Sequence, residues 1–262
     1  MLAERKPLKA VFFDLDDTLV LTQDADLQAY AAVAELTHQL LPQVDVDRLI
    51  DDWRIEFVSS PWDPTHQVDV HIWRTALWCK ALQKQGVADQ EVASQLYGCF
   101  HQTRMQLFTF EPGVHDLVTQ LKSQGFSCAI ITNGHASIQR AKLAACQAAG
   151  LFDAMLVGGE EVLGGREEKP DPHIFLKACA ILDCHPSEAV HIGDSLSSDI
   201  QGGINAKLAA TIWVNRDGRP LPATGPKPTF IVEHVTQLAD VLQQLQREAT
   251  ESPMSRYHSC PL

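Results

Sequence analysis

From residue 114 onward the chain alternates short apolar runs with stretches of helical length, and this alternation limits the possible folds more than any other feature. The runs are Ser127-Cys128-Ala129-Ile130-Ile131-Thr132, Ala154-Met155-Leu156-Val157, Ala189-Val190-His191-Ile192-Gly193 and Ala210-Thr211-Ile212-Trp213-Val214. Each is too short for a buried helix and rich enough in β-branched residues for a buried strand. Helices are predicted between and around them at 114–122, 137–149 (closed by Gly150 as a C-cap), 172–182 and 200–206. Strands and helices in regular succession imply a Rossmann-like α/β architecture, a parallel sheet with helices on both faces. Phe230-Ile231-Val232 and a helix over 238–245 complete that core.

One more strand of the same kind stands near the start, at residues 8–14, but the next does not come until residue 127. The segment between, about 20–110, has helical periodicity and almost no strand signal. Leu27, Tyr30, Ala31, Ala34 and Leu36 recur at helical spacing, as do Ile72, Ala76, Leu77 and Leu82. A connection between strand and helix usually takes 2–6 residues, so this block is read as an inserted all-helical cap domain. The expected organisation is an α/β core from residues 1–20 and 110–248, a helical cap from 21–109 and a disordered polar tail from 249–262. Four of the five Trp residues, Trp53, Trp62, Trp73 and Trp78, lie in the insertion. Their expected role is to pack the helical bundle.

The bulk numbers narrow the function. The net charge of −12 argues against electrostatic binding to nucleic acid or to an anionic membrane. It leaves an anionic small molecule open, because one lysine and one divalent cation in a pocket outweigh distant surface charge. No apolar stretch approaches the roughly 20 residues that span a bilayer, and the first residues lack the apolar segment of a signal peptide. Seven scattered cysteines, with no CxxC pair, point to reduced thiols in the cytoplasm. His66 and His71 lack metal-ligand company and are expected to be surface or packed residues.

The strand ends carry the chemistry. Ligands in open α/β sheets bind beyond the carboxyl ends of the strands, where Asp14 and Asp16 follow the first run. An aspartate can attack phosphorus and carry the phosphoryl group. A second carboxylate two residues on points to the same side of an extended chain and can act as acid and base. The competing reading makes Asp17 or Thr18 a helix cap. Thr132-Asn133-Gly134 presents a hydroxyl and backbone N–H groups suited to phosphate oxygens, or else a simple Asn-Gly turn. In Lys169-Pro170-Asp171-Pro172 the prolines and Asp171 suit a helix start, while Lys169 can balance phosphoryl charge. Asp194 and Asp199 after the 189–193 run add hard oxygen donors of the kind that bind Mg²⁺, or cap the next helix.

Taken together, these four motifs in this order resemble those of the haloacid dehalogenase-like hydrolases, from about Lys9 to Gly218. The resemblance implies Asp14 as nucleophile and Asp16 as general acid and base. It implies Mg²⁺ held by Asp14, the backbone carbonyl of Asp16 and Asp194, with Asp199 in support. Thr132, the Asn133 backbone and Lys169 bind the transferring phosphoryl group on this reading. Asp16 also separates activities within the family: attack on carbon expels a halide that needs no proton, and the dehalogenases lack an acid at this position. The expected activity is therefore Mg²⁺-dependent hydrolysis of a small phosphate monoester. A sugar phosphate leads, with nucleoside monophosphates as an alternative and a non-catalytic binding role as a third reading.

Overall fold

The computed structural model of the protein describes residues 7–250, with side chains described through residue 247. By contact the chain divides into two compact units, one of residues 1–20 and 110–262 and the other of residues 21–109.

The first unit is built on a six-stranded sheet. Its strands are β1 (Ala10–Phe13), β2 (Ser127–Thr132), β3 (Ala154–Val157), β4 (Ala189–Gly193), β5 (Ala210–Val214) and β6 (Phe230–Val232). They lie in the order β3-β2-β1-β4-β5-β6, with every neighbouring pair parallel. This is the α/β sheet that the alternation implies. All four residues of β1 are fully buried, as befits a strand with partners on both edges and cover on both faces. On one face Phe12, Ala129 and Ile131 pack with Ile174, Phe175 and Ala178. Phe13 points the other way and meets Phe152 edge to face at 5.7 Å.

The second unit holds α1 (Thr22–Leu40), α2 (Val46–Ser59), α3 (Val70–Gln83) and α4 (Gln90–Leu107). Asp45, Asp69 and Asp89 cap the last three, each accepting a backbone N–H from the first turn. Trp53 and Trp78 stack at 4.8 Å within a core that includes Leu49, Leu77 and Phe100, which is the packing role expected of them. His71 packs beside Tyr97 and His101.

The first unit's helices are α5 (Val114–Ser123), α6 (Ala136–Ala145), α7 (Gly158–Leu163), α8 (Pro172–Ile181), α9 (Gln201–Asn205) and α10 (Leu238–Thr250). Several depart from the sequence expectation. The helix expected over 137–149 stops at Ala145, because the chain turns through Gln147 (φ +56°) to bury Ala148 and Phe152. Gly150 is therefore not its cap. Residues 158–163, to which the sequence pattern assigns no helix, form one despite two glycines. A Cβ on Gly159 would lie 2.3 Å from the carbonyl oxygen of Gly134, so only glycine lets this helix seat the turn after β2. The helix expected over 200–206 is preceded by a wider π-type turn over Leu196–Ile200. No helix follows Asp17 or Thr18 directly. Asp17 takes φ +58° and its N–H donates to Val20 O at 2.8 Å, folding residues 16–20 into a tight loop. The last helix continues to Thr250, past the expected end at residue 245. The rest of the expected tail lies outside the described residues. No described helix is long and apolar enough to cross a membrane.

Candidate active site

β1 and β4 pair through Phe13 and Ile192, and the Asp14 N–H extends the ladder to Ile192 O at 2.9 Å. That register sets Asp14 at the carboxyl edge beside Gly193 and Asp194. Gly193 is required there. A Cβ would stand 2.3 Å from Cγ of Asp199, so the missing side chain lets the following turn fold Asp199 back against the strand end. Ser195 N–H donates to Asp199 Oδ2 at 3.0 Å and fixes that orientation.

Lys169 enters from the opposite side, just before α8. Its ammonium donates to Asp14 Oδ1 at 2.6 Å, to Asp199 Oδ1 at 2.7 Å and to Ile131 O at 2.7 Å. The side chain of Asn133 holds the backbone behind it, accepting from Lys169 N at 2.9 Å and donating to Lys169 O at 2.7 Å. The Asn133 side chain thus has a role in holding the lysine backbone that the sequence reading, which points to the Asn133 backbone, does not include. The neighbouring Gly134 N–H is already engaged by Glu168 Oε2 at 3.0 Å. Asp171 caps α8 by accepting from His173 N at 2.8 Å, with Pro172 in its first turn, so this start is rigid up to the lysine.

Asp14, Asp194 and Asp199 each direct a carboxylate oxygen into one cluster, the three atoms all within 4.8 Å of one another. Burial raises the Asp14 carboxyl well above the usual range; Lys169 opposes this, while Asp199, Asp194 and Asp16 reinforce it. Asp194 is pushed up to about 7 by burial and by the charges of Asp199 and Asp17. Burial also favours the neutral form of Asp199, but Lys169 and His191 overcome it and hold that carboxyl low. Lys169 stays protonated because Asp14 and Asp199 outweigh its own desolvation. Buried His191 is biased toward the neutral ring, and its Nε2 lies 3.0 Å from Asp199 Oδ1. One ammonium thus faces three crowded carboxylates. A hard divalent cation fits such a donor set, since it would relieve the repulsion that raises Asp14 and Asp194.

Asp16 stands apart from this cluster. Its carboxylate receives Lys142 Nζ at 2.8 and 2.7 Å and Gln139 Nε2 at 2.8 Å. The same Gln139 amide lies 2.6 Å from Thr132 Oγ1 and 2.7 Å from Asn133 O. Every strand-end residue picked out from sequence therefore lies along the carboxyl edge of the first unit, but Asp16 and Thr132 face α6 while Asp14, Lys169, Asp194 and Asp199 face one another. Gln139, Lys142, Glu168 and His191 were not anticipated. For Gln139 and Lys142 the available signal was two polar residues at i and i+3 beside the apolar Ile138 and Leu143. For His191 it was an imidazole within an otherwise apolar strand.

Comparison with known proteins agrees with the motif order. The sequence profile described as haloacid dehalogenase-like hydrolase matches residues 8–207. Human N-acylneuraminate-9-phosphatase is 34% identical over 248 residues, covering 94% of this chain and 98% of the relative. Glyceraldehyde 3-phosphate phosphatase of Pyrococcus furiosus is 28% identical over 244 residues, covering 92% and 94%. A solved 2-haloacid dehalogenase from Pseudomonas syringae pv. Tomato superposes with a TM-score of 0.64 at 30% identity, over 90% of this chain and 99% of that one. With its sheet order, its strand-end carboxylates and a profile match spanning most of the length, this chain belongs to the haloacid dehalogenase-like hydrolases.

Proposed function

We propose that the protein is a phosphoric monoester hydrolase in which Asp14 attacks phosphorus and Asp16 handles the proton. The observation that carries this reading is the Lys169 ammonium lying between Asp14 and Asp199 at the sheet edge. A cation there steadies the nucleophile in the resting site and faces the phosphoryl oxygens as charge shifts onto them. Asp14 forms a bond to phosphorus in line with the departing alcohol, giving an aspartyl phosphate, while Asp16, which enters this step protonated, donates that proton to the leaving oxygen and becomes the carboxylate. Asp16 then takes a proton from water, which attacks phosphorus and frees Asp14 with release of inorganic phosphate. Thr132, the Asn133 backbone and Lys169 bind the phosphoryl oxygens, and the Asn133 side chain keeps Lys169 in place.

Mg²⁺ is the cation proposed for the cluster, held by Asp14, Asp194 and the backbone carbonyl of Asp16, with Asp199 in support. When bound it offsets the charge that three carboxylates and a phosphate dianion bring together.

The lead substrate is an N-acylneuraminate 9-phosphate, supported by the identity of 34% that extends across nearly the whole of both chains. Nucleoside monophosphates and other small sugar phosphates are the alternatives. Phosphate release from a panel of these compounds and an aryl phosphate, with Mg²⁺ and with EDTA, tests the proposal. Mg²⁺-dependent turnover with preference for the 9-phosphate is expected. Preference for another monoester would reject the lead substrate and keep the reaction. No turnover of any compound would replace the enzyme reading with a binding role.

The raised carboxyls of Asp14 and Asp194 also make stability depend on pH. The Asp194 carboxyl rises from its ordinary value of 3.8 to about 7 in the folded protein, so the folded state binds the extra proton. Its contribution is fully present below the unfolded value and is lost as pH climbs through the folded one. In EDTA the melting temperature is expected to fall between about pH 4 and pH 7, at a cost on the order of 3 kcal/mol. Saturating Mg²⁺ is expected to flatten that decline. A melting temperature indifferent to both pH and Mg²⁺ would contradict the crowding of carboxylates described above.

A further inference from the structure

We propose that Gln139 and Lys142 on α6 are positioning residues for the proton transfer, holding the Asp16 carboxylate in register with the phosphate-binding strand end. The inference rests on the assignment of Asp16 as the acid that protonates the leaving oxygen.

Four observations carry it. Lys142 is 5% exposed and Gln139 2%, so neither is a solvated surface group, and a buried ammonium is costly unless it is well paired. The Lys142 ammonium contacts both oxygens of Asp16, at 2.8 and 2.7 Å. A carboxylate held through both oxygens loses the rotational freedom that a single contact leaves. Gln139 adds a donor to Oδ2 at 2.8 Å. Finally, its amide also touches Thr132 Oγ1 and Asn133 O, so one side chain ties the proton carrier to the residues that flank the phosphoryl group.

The two residues stand at i and i+3 and share a face of α6. That helix begins three residues after Asn133, so the turn after β2 and the grip on Asp16 are parts of one rigid piece. Proton transfer in a transition state depends on donor placement within a fraction of an ångström. The Asp16 side chain is 28% exposed, and without these partners it would sample other rotamers in contact with water.

Leaving-group chemistry provides the test. A p-nitrophenolate departs without a proton, whereas an alkoxide from a sugar or glycerol phosphate requires one. The full-length enzyme with Mg²⁺ is assayed on both substrate types, as wild type, Asp16→Asn, Lys142→Met, Gln139→Leu and Lys142→Arg, each checked by thermal melting. Lys142→Met and Gln139→Leu are expected to lose about ten- to hundredfold in kcat/KM on the alkyl phosphate, which reports the steps up to release of the alcohol, and less than about threefold in kcat/KM on p-nitrophenyl phosphate. Lys142→Arg, which keeps a cation against the carboxylate, is expected to recover most of the loss. Added to Asp16→Asn, Lys142→Met should cost nothing further, as residues that work through one group are not additive. Equal losses in kcat/KM on both substrates in the two α6 variants, or no loss on either, would overturn the positioning role. If Asp16→Asn itself fails to discriminate between the substrates in kcat/KM, the assignment of Asp16 as the acid falls and this inference falls with it.

Discussion

Asp14→Asn is expected to lower phosphate release by at least about 10³-fold while leaving the protein as stable as the wild type or more so. The amide is the same size and keeps an oxygen for Lys169, but it cannot form the acyl phosphate. The stability half of the prediction follows from crowding. Asp14 is buried beside Asp194 and Asp199, and its carboxyl is raised because the charged form is disfavoured there. Removing one negative charge leaves Lys169 paired with Asp199 at 2.7 Å and relieves the repulsion on the others. Activity and melting temperature should therefore move independently, as at sites where strain serves function. Residual turnover within tenfold of wild type would exclude Asp14 as the nucleophile. A variant that fails to fold would show instead that the carboxylate is a structural requirement.

Lys169→Met is expected to do the opposite and damage both. Its ammonium is shared by Asp14, Asp199 and the Ile131 carbonyl, and its side chain is 1% exposed. Taking away one partner of a buried ion pair leaves uncompensated charge, typically costing about 3–5 kcal/mol. For a chain of this size that corresponds to a fall in melting temperature of roughly 10 °C. Turnover should fall by about 10³-fold or more, because the phosphoryl charge loses its cation as well. Mg²⁺ should raise the melting temperature of this variant more than that of wild type, as it would then be the cation left among the carboxylates. Lys169→Arg is not a mild change here. A planar guanidinium cannot place one nitrogen against three acceptors arranged around a point charge. Calorimetry with and without Mg²⁺ checks the stability effects, and a phosphate assay checks the kinetics.

The strand ends are legible from sequence because two simple rules coincide there. Short apolar runs identify β1, β2, β4 and β5, and ligands in a parallel sheet gather at their carboxyl ends, so the amino-acid pattern alone singles out Asp14, Thr132 and Asp194. Lys169 is legible by contrast: the prolines and Asp171 have local reasons to be where they are, and the lysine has none. The partners of these residues are hidden for an equally physical reason. Gln139 and Lys142 act through a contact with Asp16 that spans over 120 positions of sequence, and a helical period says which face they share but not what that face meets. Glu168 and the Asn133 amide are obscured by their neighbourhood, a turn whose glycines and prolines already account for its shape. The short helix at 158–163 escapes notice because paired glycines are poor helix formers, whereas close approach to Gly134 is what Gly159 permits.

The strand order bears on how the chain is made. β1 is synthesised first and lies between β2 and β4, so its hydrogen-bonding partners begin only at residues 127 and 189. In the interval the ribosome produces residues 21–109, a helical unit built largely from local contacts and able to form early. Meanwhile Val11-Phe12-Phe13 waits as an apolar strand with both edges open, the kind of segment that attracts chaperones or aggregates. Asp14 meets both Lys169 and Asp199 only once residue 199 has been translated. A nascent chain stalled before residue 127 thus displays the apolar strand with both edges open, and one stalled between 132 and 189 still leaves one edge unpaired.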